Sequence, residues 1–489
     1  MRMANTSNDP VSQVTGKPKV CVIVTEYRHN SHAEMILGRL LGNLDYSPAV
    51  QVVSLYTDQI AKEDMSRPAA AKHGIPIYST IREAVLAPGD ELAGVVIIGE
   101  HGDYPDNELG QKMYPRRSFI EEVLLAFDEA GLVIPIFSDK HLAYDQDDAN
   151  WVYDAIKTRK VPFLGGSSIP FVPQVPPISS EKLHNMKEIL VVSFGPIESY
   201  GYHAMEVLQS QIERSGDSSC RAVTVRALQG KEVWAALEDG QWPEELLQMA
   251  LSTYDNRASG HVKDHFETPV LFEIQYNNGL KGFVIQLGEW IDQWSYAVRC
   301  ENGQMAAARM ASGLERPFFH FTQLTHMIEQ MIITGISEVP IERTYQTTTM
   351  INAAMRALYN KEMVQLGEEG VMVQEKPKTL PFSSATRTDS LLFVSGQGGL
   401  DPVTGEVVGP SLEEQTAQTM DNIGTILAEH GLSFNHVKKV NIYLSHRELY
   451  KAFNELYAQY FQAPYPARTT VYCDLNYDLL VEIDVIASY

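Results

Sequence analysis

The stretch KVCVIVT (19–25) is a continuous apolar run of strand length, and the polar turn EYRHNSH follows it at once. Similar runs recur along the chain, separated by segments of helical periodicity at 118–131 and 146–159. They are VVSLY (52–56), GVVIIGE (94–100), LVIPIFSD (132–139) and VPFLGG (161–166). Apolar strands alternating with helices indicate a parallel sheet covered on both faces. We therefore predict a Rossmann-like α/β domain over residues 19–165.

The pattern changes beyond this domain. Strand-like segments follow one another without helical patterns between them at 222–228, 270–276, 281–290 and 295–300. Such a succession indicates a mostly antiparallel sheet, and we predict an α+β domain over residues 166–366. A helix predicted over 321–335 is expected to pack on this second sheet. The two predicted domains together are called the front half.

The remaining segments complete the predicted organisation. Residues 1–18 are polar and aperiodic and are expected to form a flexible tail, while 367–379 are charged and turn-rich and are expected to form a linker. Residues 380–489 are predicted to fold as a third domain with the order ββαβαββ, its first strand near 370–375, giving one sheet with two helices on one face. Ser411 and Glu414 have capping-box spacing at the first helix, and Gly431 is placed to end it.

Composition limits the possible functions. The 489 residues include 62 acidic and 39 basic side chains, for a formal net charge of −23, which disfavours nucleic acid and anionic membranes as partners. No apolar run is long enough to cross a bilayer, the N-terminal residues have no signal-peptide core, and the four cysteines lack metal-binding or disulfide spacing. We expect a cytoplasmic protein that acts on a small molecule.

Polar residues cluster where the strands of the first domain end. They are Glu26, His29 and His32 after the first strand, Glu100, His101 and Asp103 after GVVIIG, and Asp139, Lys140 and His141 after LVIPIFSD. The carboxyl ends of parallel strands open onto one crevice, which Glu198, Tyr202, His203 and Glu206 of the second domain could close. This predicts a pocket. Its residues suit an acid–base site with Lys140 for a carboxylate or carbonyl, or a divalent metal, with His29 and His32 as the candidate pair.

The first strand-to-helix turn argues against an ordinary nicotinamide site. Binding of a dinucleotide pyrophosphate requires glycines in this turn so that the backbone can approach the phosphates. Residues 24–36 contain no glycine, and Glu26 would place a negative charge near the phosphates. We therefore expect NAD(P) to be disfavoured, and the cofactor of the front half stays open.

Residues 380–489 closely resemble the Rid proteins (reactive intermediate deaminases, the YjgF family). The matching stretches are PFSSA (381–385), LLFVSGQGGLDPVTGE (391–406), TMDNIGTILAEHGLSFNHVKKVNIYL (419–444), FNELYAQYF (453–461), YPART (465–469) and VEIDVIA (481–487). The resemblance implies a chorismate-mutase-like fold, a homotrimer or a multiple of one, and a ligand site between neighbouring subunits. It also implies hydrolysis of enamines or imines to carbonyl products and ammonia, with no cofactor.

The same resemblance assigns site residues. Arg468 would bind the substrate carboxylate and Glu482 would position or activate the attacking water. Ser395, Gly396, Asn454 and Phe382 would line the substrate site, with Phe382 standing where the family commonly has tyrosine. Strand alternation puts Glu482 and Asp484 on one side, opposite apolar neighbours. Exposure of both acids on an edge strand is the alternative to a catalytic role.

The front half resembles the Gfo/Idh/MocA oxidoreductases in two segments. Residues 138–166, SDKHLAYDQDDANWVYDAIKTRKVPFLGG, are similar to that family's E-K-P segment with its helix and next strand, and GPIESYGYHAMEVLQ (195–209) to the turn that carries its catalytic histidine. The resemblance implies Lys140 and His203 as a catalytic pair near the substrate. From the strand-end cluster itself, we expect His101, Asp139, His141 and Glu198 to bind the substrate. His141 replaces the family's proline, and the glycine fingerprint is missing.

These observations favour a bifunctional enzyme of small-molecule metabolism. Its front half would act on an amino- or keto-acid-like precursor, and its Rid-like domain would hydrolyse the resulting enamine or imine. Tethering the two sites would raise the local concentration of a short-lived intermediate. In the alternative reading, the Rid-like domain only trimerises the chain or senses a ligand, and oxidoreductase-like or metal-assisted lyase or hydrolase catalysis lies in the front half.

Overall fold

A computed structural model describes residues 16–216, 220–254, 260–367, 383–388, 390–402 and 407–489 of the chain. The chain divides into two compact units, Met1–Gln374 and Glu375–Tyr489. The predicted tail up to residue 15, the predicted linker beyond residue 367 and the position of Phe382 lie outside the described residues. Among the described residues, no helix has the length and apolarity needed to span a membrane.

The first sheet forms the core of the N-terminal part of unit one. Its elements are β1 (Lys19–Val24), α1 (His32–Leu40), β2 (Gln51–Thr57), α2 (Ser66–His73), β3 (Ile77–Tyr78), α3 (Ile81–Leu86), β4 (Leu92–Ile98), α4 (Arg116–Ala130), β5 (Ile136–Asp139), α5 (Gln146–Arg159) and β6 (Phe163–Gly166). All six strands are parallel, in the order β3-β2-β1-β4-β5-β6. This arrangement confirms the Rossmann-like prediction, and the strand order reverses beside β1 and β4.

A second, mixed sheet follows. Its elements are β7 (Gln174–Val175), β8 (Met186–Ser193), α6 (Ile197–Arg214), β9 (Ala222–Gln229), α7 (Lys231–Glu238), α8 (Glu244–Leu251), β10 (Val270–Tyr276), β11 (Lys281–Gln286), β12 (Ser295–Cys300), β13 (Met305–Met310), α9 (Thr322–Thr334), α10 (Ile341–Asn360) and β14 (Val364–Gln365). The strand order is β14-β9-β10-β11-β8-β12-β13-β7. Its pairs are antiparallel except that β8 runs parallel to β11, so the predicted α+β fold with a mostly antiparallel sheet is confirmed.

Helix α9 does not pack where the sequence pattern led us to expect. Its buried face, including Leu324, Ile328 and Met331, belongs to a core shared with Val22 of β1 and Val96 of β4. The expectation that this helix covers the second sheet was wrong. A parallel sheet must be covered on both faces, and α9 joins α1 on one face while α3, α4 and α5 cover the other.

The described elements of unit two match the predicted order from its second strand onward, and they begin with a short strand, β15, that was not predicted. Its described elements are β15 (Ala385–Arg387), β16 (Leu391–Gly398), α11 (Leu412–Glu429), β17 (Val437–Leu444), α12 (Tyr450–Tyr457), β18 (Ala467–Tyr472) and β19 (Val481–Ser488). The sheet order is β15-β16-β19-β17-β18. The strand expected near 370–375 falls outside the described residues. The capping box of Ser411 and Glu414 starts α11, and Gly431 follows its end with φ +72°, as predicted.

Candidate functional site

A cavity of about 350 Å³ opens beyond the carboxyl ends of β4 and β5. We call it the front cavity; the residues lining it include His32, Glu100, His101, Tyr114, Lys140, Ser168, Tyr200, His203, Trp294, His320 and Phe321. His101 and Lys140 have positive φ angles of 72° and 69°. Non-glycine residues rarely adopt this conformation, and it often marks functional sites. The structure therefore brings five residues of the predicted cluster to one cavity: His32, Glu100, His101, Lys140 and His203.

Lys140 belongs to a buried charge network. Its Nζ lies 3.4 Å from Glu100 Oε1 and donates a hydrogen bond to the backbone oxygen of Ser199 at 3.2 Å. Arg116, whose side chain is fully buried, binds the other oxygen of Glu100. Burial alone would raise the pKa of Glu100, but the charges of Lys140 and Arg116 outweigh it and hold the pKa well below its ordinary value. Glu100 is therefore an anion that fixes the Lys140 ammonium.

The neighbours of Lys140 in sequence, Asp139 and His141, face away from the cavity. Asp139 Oδ2 lies 2.5 Å from Nδ1 of His32 and orients that ring. His141 Nε2 lies 3.2 Å from both Arg116 Nη1 and Glu198 Oε1, behind the cavity wall. Asp139, His141 and Glu198 were predicted to bind substrate, but the structure places all three behind the residues that line the front cavity.

His203 is held by Ser167. The Ser167 hydroxyl accepts a hydrogen bond from the Ile169 backbone N–H and lies 2.6 Å from His203 Nδ1, so it holds the imidazole ring in place. Burial, together with the charge of Lys140, lowers the pKa of His203 well below its ordinary value. His203 is therefore a neutral ring held in a fixed orientation.

Two residues of the cavity lining, Trp294 and His320, were not found from the sequence, and neither was Arg116, which binds Glu100. Arg116 is the first residue of α4, Trp294 follows the second sheet's β11, and His320 precedes α9. All three are far from the strand-end cluster in sequence, and only the folded chain brings them near it. A signal does exist for Arg116: a Cβ at Gly99 would lie 2.8 Å from Arg116 Cγ, so a side chain at 99 would collide with the buried arginine.

In a sheet with this strand order, the turn after β1 and the N-terminus of α1 form the place where a dinucleotide pyrophosphate binds. Ser31 caps α1 by accepting from the Glu34 backbone N–H at 3.2 Å, and the Glu34 carboxylate accepts from the Asn30 N–H at 2.8 Å. Burial would raise the pKa of Glu34, but the hydrogen bonds from Asn30 and Arg316 lower it, so this buried group is ionised. Glu26 adds a second buried carboxylate. These residues do not fit a pyrophosphate.

The histidines proposed as a metal pair are used differently. His29 Nδ1 lies 3.2 Å from Glu34 Oε1, whereas His32 is bound to Asp139. Within the described ranges, no group of three or more His, Cys, Asp or Glu side chains is arranged to hold a metal ion.

In unit two, Arg468 faces helix α12. Its Nη2 donates to the hydroxyl of Tyr450 at 3.2 Å, and its guanidinium lies 5.1 Å from the ring centre of Tyr457. Asn454, on the same helix, has a buried Oδ1 without a hydrogen-bond partner among the described residues, and so does the Tyr457 hydroxyl. Buried polar atoms without partners are costly, which is expected where a ligand completes a site.

Glu482 lies on the other face of the sheet, in contact with Gly396. An ideal Cβ built on Gly396 would lie 3.1 Å from Glu482 Cδ and closer still to Oε1. Burial, and then the nearby Asp484, raise the pKa of Glu482. Asp484 accepts hydrogen bonds from Asn441 (2.9 Å) and Tyr443 (3.2 Å). The two acids share a face as predicted, but β19 is a central strand, so their exposure on an edge strand is excluded.

Ser395 lies beside Gly396 at an irregularity of β16. The pairing of β16 with β19 shifts register between Val394 and Gln397, and Ser395 and Gly396 occupy this bulge. The Ser395 hydroxyl donates to the Ser383 backbone oxygen at 2.6 Å. A bulge bends the strand locally, and at this bulge Gly396 contacts the Glu482 carboxylate.

The sheet register separates Arg468 from Glu482. Arg468 pairs with Val440, a core residue on the helix-covered face, whereas Glu482 alternates with the core residues Val481 and Ile483 and so lies on the opposite face. Their strands are also separated by β17, about 10 Å across two strand spacings. One copy of the domain therefore does not bring both side chains to the same small ligand.

Comparison with known proteins identifies unit two. The endoribonuclease L-PSP family matches residues 373–489. A RutC family protein of Pyrococcus horikoshii is 39% identical over 122 residues, which cover 24% of this chain and 97% of that protein. Reactive Intermediate Deaminase A, chloroplastic, of Arabidopsis thaliana is 40% identical over 123 residues, covering 25% of this chain and 66% of that protein.

Solved structures of low sequence identity resemble the front half. GenD2 from gentamicin A biosynthesis, in complex with NAD, is 13% identical, with a TM-score of 0.48 and coverage of 74% of this chain and 100% of that one. A likeness at this level carries no inference about cofactor or reaction. The matches to the last quarter of the sequence are decisive by contrast, and they confirm the Rid resemblance: through its C-terminal domain, the chain belongs to the endoribonuclease L-PSP (RutC, Rid) family.

Proposed function

We propose that the chain is a two-site enzyme of small-molecule metabolism whose C-terminal domain hydrolyses an enamine or imine to a carbonyl compound and ammonia. One observation carries the proposal: a domain of the Rid family has both functional groups that the reaction needs. Buried polar atoms without described partners lie near Arg468, and on the other face of the sheet the Glu482 carboxylate contacts Gly396. A relative with 40% identity is named as a reactive intermediate deaminase.

The residues suit this hydrolysis. Water adds to the electrophilic carbon of the C=N bond and loses a proton, the nitrogen gains protons, and the C–N bond then breaks to release ammonia and leave C=O. A carboxylate whose pKa is raised can take the proton from water and return it to nitrogen, which is the role we assign to Glu482. The Arg468 guanidinium can bind a substrate carboxylate with two hydrogen bonds. No metal or covalent nucleophile is needed.

We propose that the site forms between two copies of the chain. Arg468 and Glu482 point to opposite faces of the sheet, so a ligand touching both must lie between an Arg468 from one copy and a Glu482 from another. A homotrimer, which the Rid resemblance implies, satisfies this requirement with closed symmetry.

The front half, in this proposal, acts on the small-molecule precursor. Lys140 and His203 line one cavity, with Lys140 fixed by Glu100 and the His203 ring held in place by Ser167. A fixed ammonium beside a neutral imidazole can polarise a carbonyl and move a proton. Our reaction scheme includes no nicotinamide, because the turn after β1 does not fit a pyrophosphate.

The experiment is release of ammonia and 2-keto acid from imino acids that an amino-acid oxidase generates in situ. The full-length wild type is compared with Arg468→Ala, Glu482→Gln and the control Asp484→Asn, which alters the other acid on the same face of β19. We expect activity in wild type and in Asp484→Asn, and loss of activity in the other two. Absence of activity in wild type over small and large imino acids would favour a trimerising or ligand-sensing domain instead.

A further inference from the structure

The residues that line the front cavity indicate the charge and the kind of side group of the molecule that it binds. We infer that it binds a small organic acid with an aromatic or similarly bulky apolar group, whose carboxylate meets Lys140 while the apolar group lies against Tyr200 and Trp294. The inference deepens the proposed role of the front half and rests on it.

The charged groups of the cavity wall favour an anion over a cation. Both oxygens of Glu100 are already engaged, one by Arg116 and the other by Lys140. The Lys140 ammonium has three N–H donors, and its described contacts, to Glu100 and Ser199, use two of them. A ligand carboxylate would therefore find a donor at Lys140, whereas a ligand ammonium would have to compete for Glu100.

Neutral donors near Lys140 support the same charge. Arg28 Nη2 lies 3.4 Å from His101 Nδ1, which leaves the His101 proton on Nε2, and that nitrogen is buried without a partner among the described residues. The hydroxyl of Ser168, a residue only 2% exposed, is likewise without a described partner. His101 Nε2 and Ser168 Oγ, both in residues of the cavity wall, can therefore donate hydrogen bonds to a ligand.

The electrostatic surroundings agree with these contacts. Burial is the main cause that lowers the pKa of His101 to about 3; the charges of Arg28 and Lys140 lower it further, whereas Glu100 raises it. Because Glu100 is already bound by Arg116 and Lys140, the charges of Arg28 and Lys140 can stabilise a ligand carboxylate near His101.

Another part of the cavity wall is aromatic. The rings of Tyr200 and Trp294 are stacked, with centroids 5.4 Å apart, and Phe321 also lines the cavity. The Trp294 indole N–H is bound to Ser193 Oγ at 3.1 Å, so the ring is fixed before any ligand enters. At about 350 Å³ the space is within the range of small-ligand pockets. A rigid aromatic wall of this size favours an aromatic or large apolar group over a short polar chain.

The test uses the full-length chain carrying Arg468→Ala, so that the C-terminal carboxylate site does not contribute. Isothermal titration calorimetry compares 3-phenylpropionate with its neutral and cationic counterparts, 3-phenylpropanol and 3-phenylpropylamine, and with propionate, which lacks the ring. We expect 3-phenylpropionate to bind about tenfold or more tightly than each of the others, since tenfold corresponds to about 1.4 kcal/mol, and a hydrogen bond to a charged group or a buried ring contributes at least that much.

Adding Lys140→Met to the same chain should abolish the preference for the acid over the alcohol. Equal binding of all four probes, tighter binding of the amine, or binding of none would overturn the inference. An unchanged preference in Lys140→Met would do the same. Should that variant not fold, the charge series on the parent chain still decides. The deaminase assay reports on the C-terminal site separately, so failure of one proposal is distinguishable from failure of the other.

Discussion

Replacing Gly396 with alanine should disable the deaminase site without unfolding the domain. The added Cβ would lie 3.1 Å from Glu482 Cδ and closer to Oε1, below ordinary van der Waals separation. The flexible carboxylate must therefore move away, by roughly 1 Å, while the backbone of β16 can stay in place. A displacement of that size in a reacting group lowers the rate by about 100-fold.

The assay is kcat/KM for imino-acid hydrolysis, measured beside the thermal unfolding temperature. Gly424→Ala is the matched control, because its Cβ would lie no closer than 3.4 Å to Phe434 and the position is inside helix α11. There we expect unchanged activity and a stability gain of about 0.5–1 kcal/mol, since glycine is unfavourable within a helix.

A double-variant cycle makes the cause specific. If Gly396→Ala acts by displacing Glu482, it should cost little further activity in a chain that already carries Glu482→Gln. Full activity of the Gly396→Ala single variant would refute the reasoning, because it would show that the carboxylate position seen here is not the working one. A large additional loss in the double variant would also refute it.

Two further predictions concern charge. Arg116→Met should lower the free energy of unfolding, measured by urea titration, by about 3–5 kcal/mol, because it leaves the buried Glu100 with Lys140 as its remaining cation. The control Arg159→Met removes an exposed ion pair and should have little effect. Equal losses in the two variants would contradict a buried network of Arg116, Glu100 and Lys140. If ionised Glu482 is the base, deaminase activity falls as pH drops through its raised pKa, so Asp484→Asn, which removes one cause of that rise, should move the acid limb of the kcat/KM profile to lower pH. A shift to higher pH, or none, would argue against this role.

Much of the fold was accessible from the sequence because it depends on local pattern. Continuous apolar runs predicted the parallel sheet, and the capping box at Ser411 predicted the start of α11. The amphipathic stripe of α9 showed that the helix is buried on one side but contains no information on which sheet it covers. That choice depends on the path of the chain between the two sheets.

The candidate sites were accessible to different degrees. Because His101 and Lys140 follow the ends of strands, the sequence correctly predicted that they line a crevice. The same argument predicted that Asp139 and His141 line it, but their side chains contact other residues instead. Successive residues leaving a strand point in different directions, so neighbours in sequence do not share a cavity. Arg116 approaches from another helix, and nothing in the local sequence indicates its partner. In unit two, motif similarity indicated Arg468 and Glu482, while their placement on opposite faces required the register of β17, β18 and β19.

The central claim, a hydrolytic site shared between two copies of the chain, is tested most directly by complementation. Full-length Arg468→Ala and Glu482→Gln chains, each inactive alone, are unfolded, mixed in equal amounts and refolded together, with separately refolded samples as controls. We expect the mixture to recover about a quarter of wild-type imino-acid hydrolysis, because random assembly of a symmetric oligomer pairs an intact Arg468 with an intact Glu482 at that frequency. No recovery in mixed oligomers whose composition is verified by mass spectrometry would contradict a shared site.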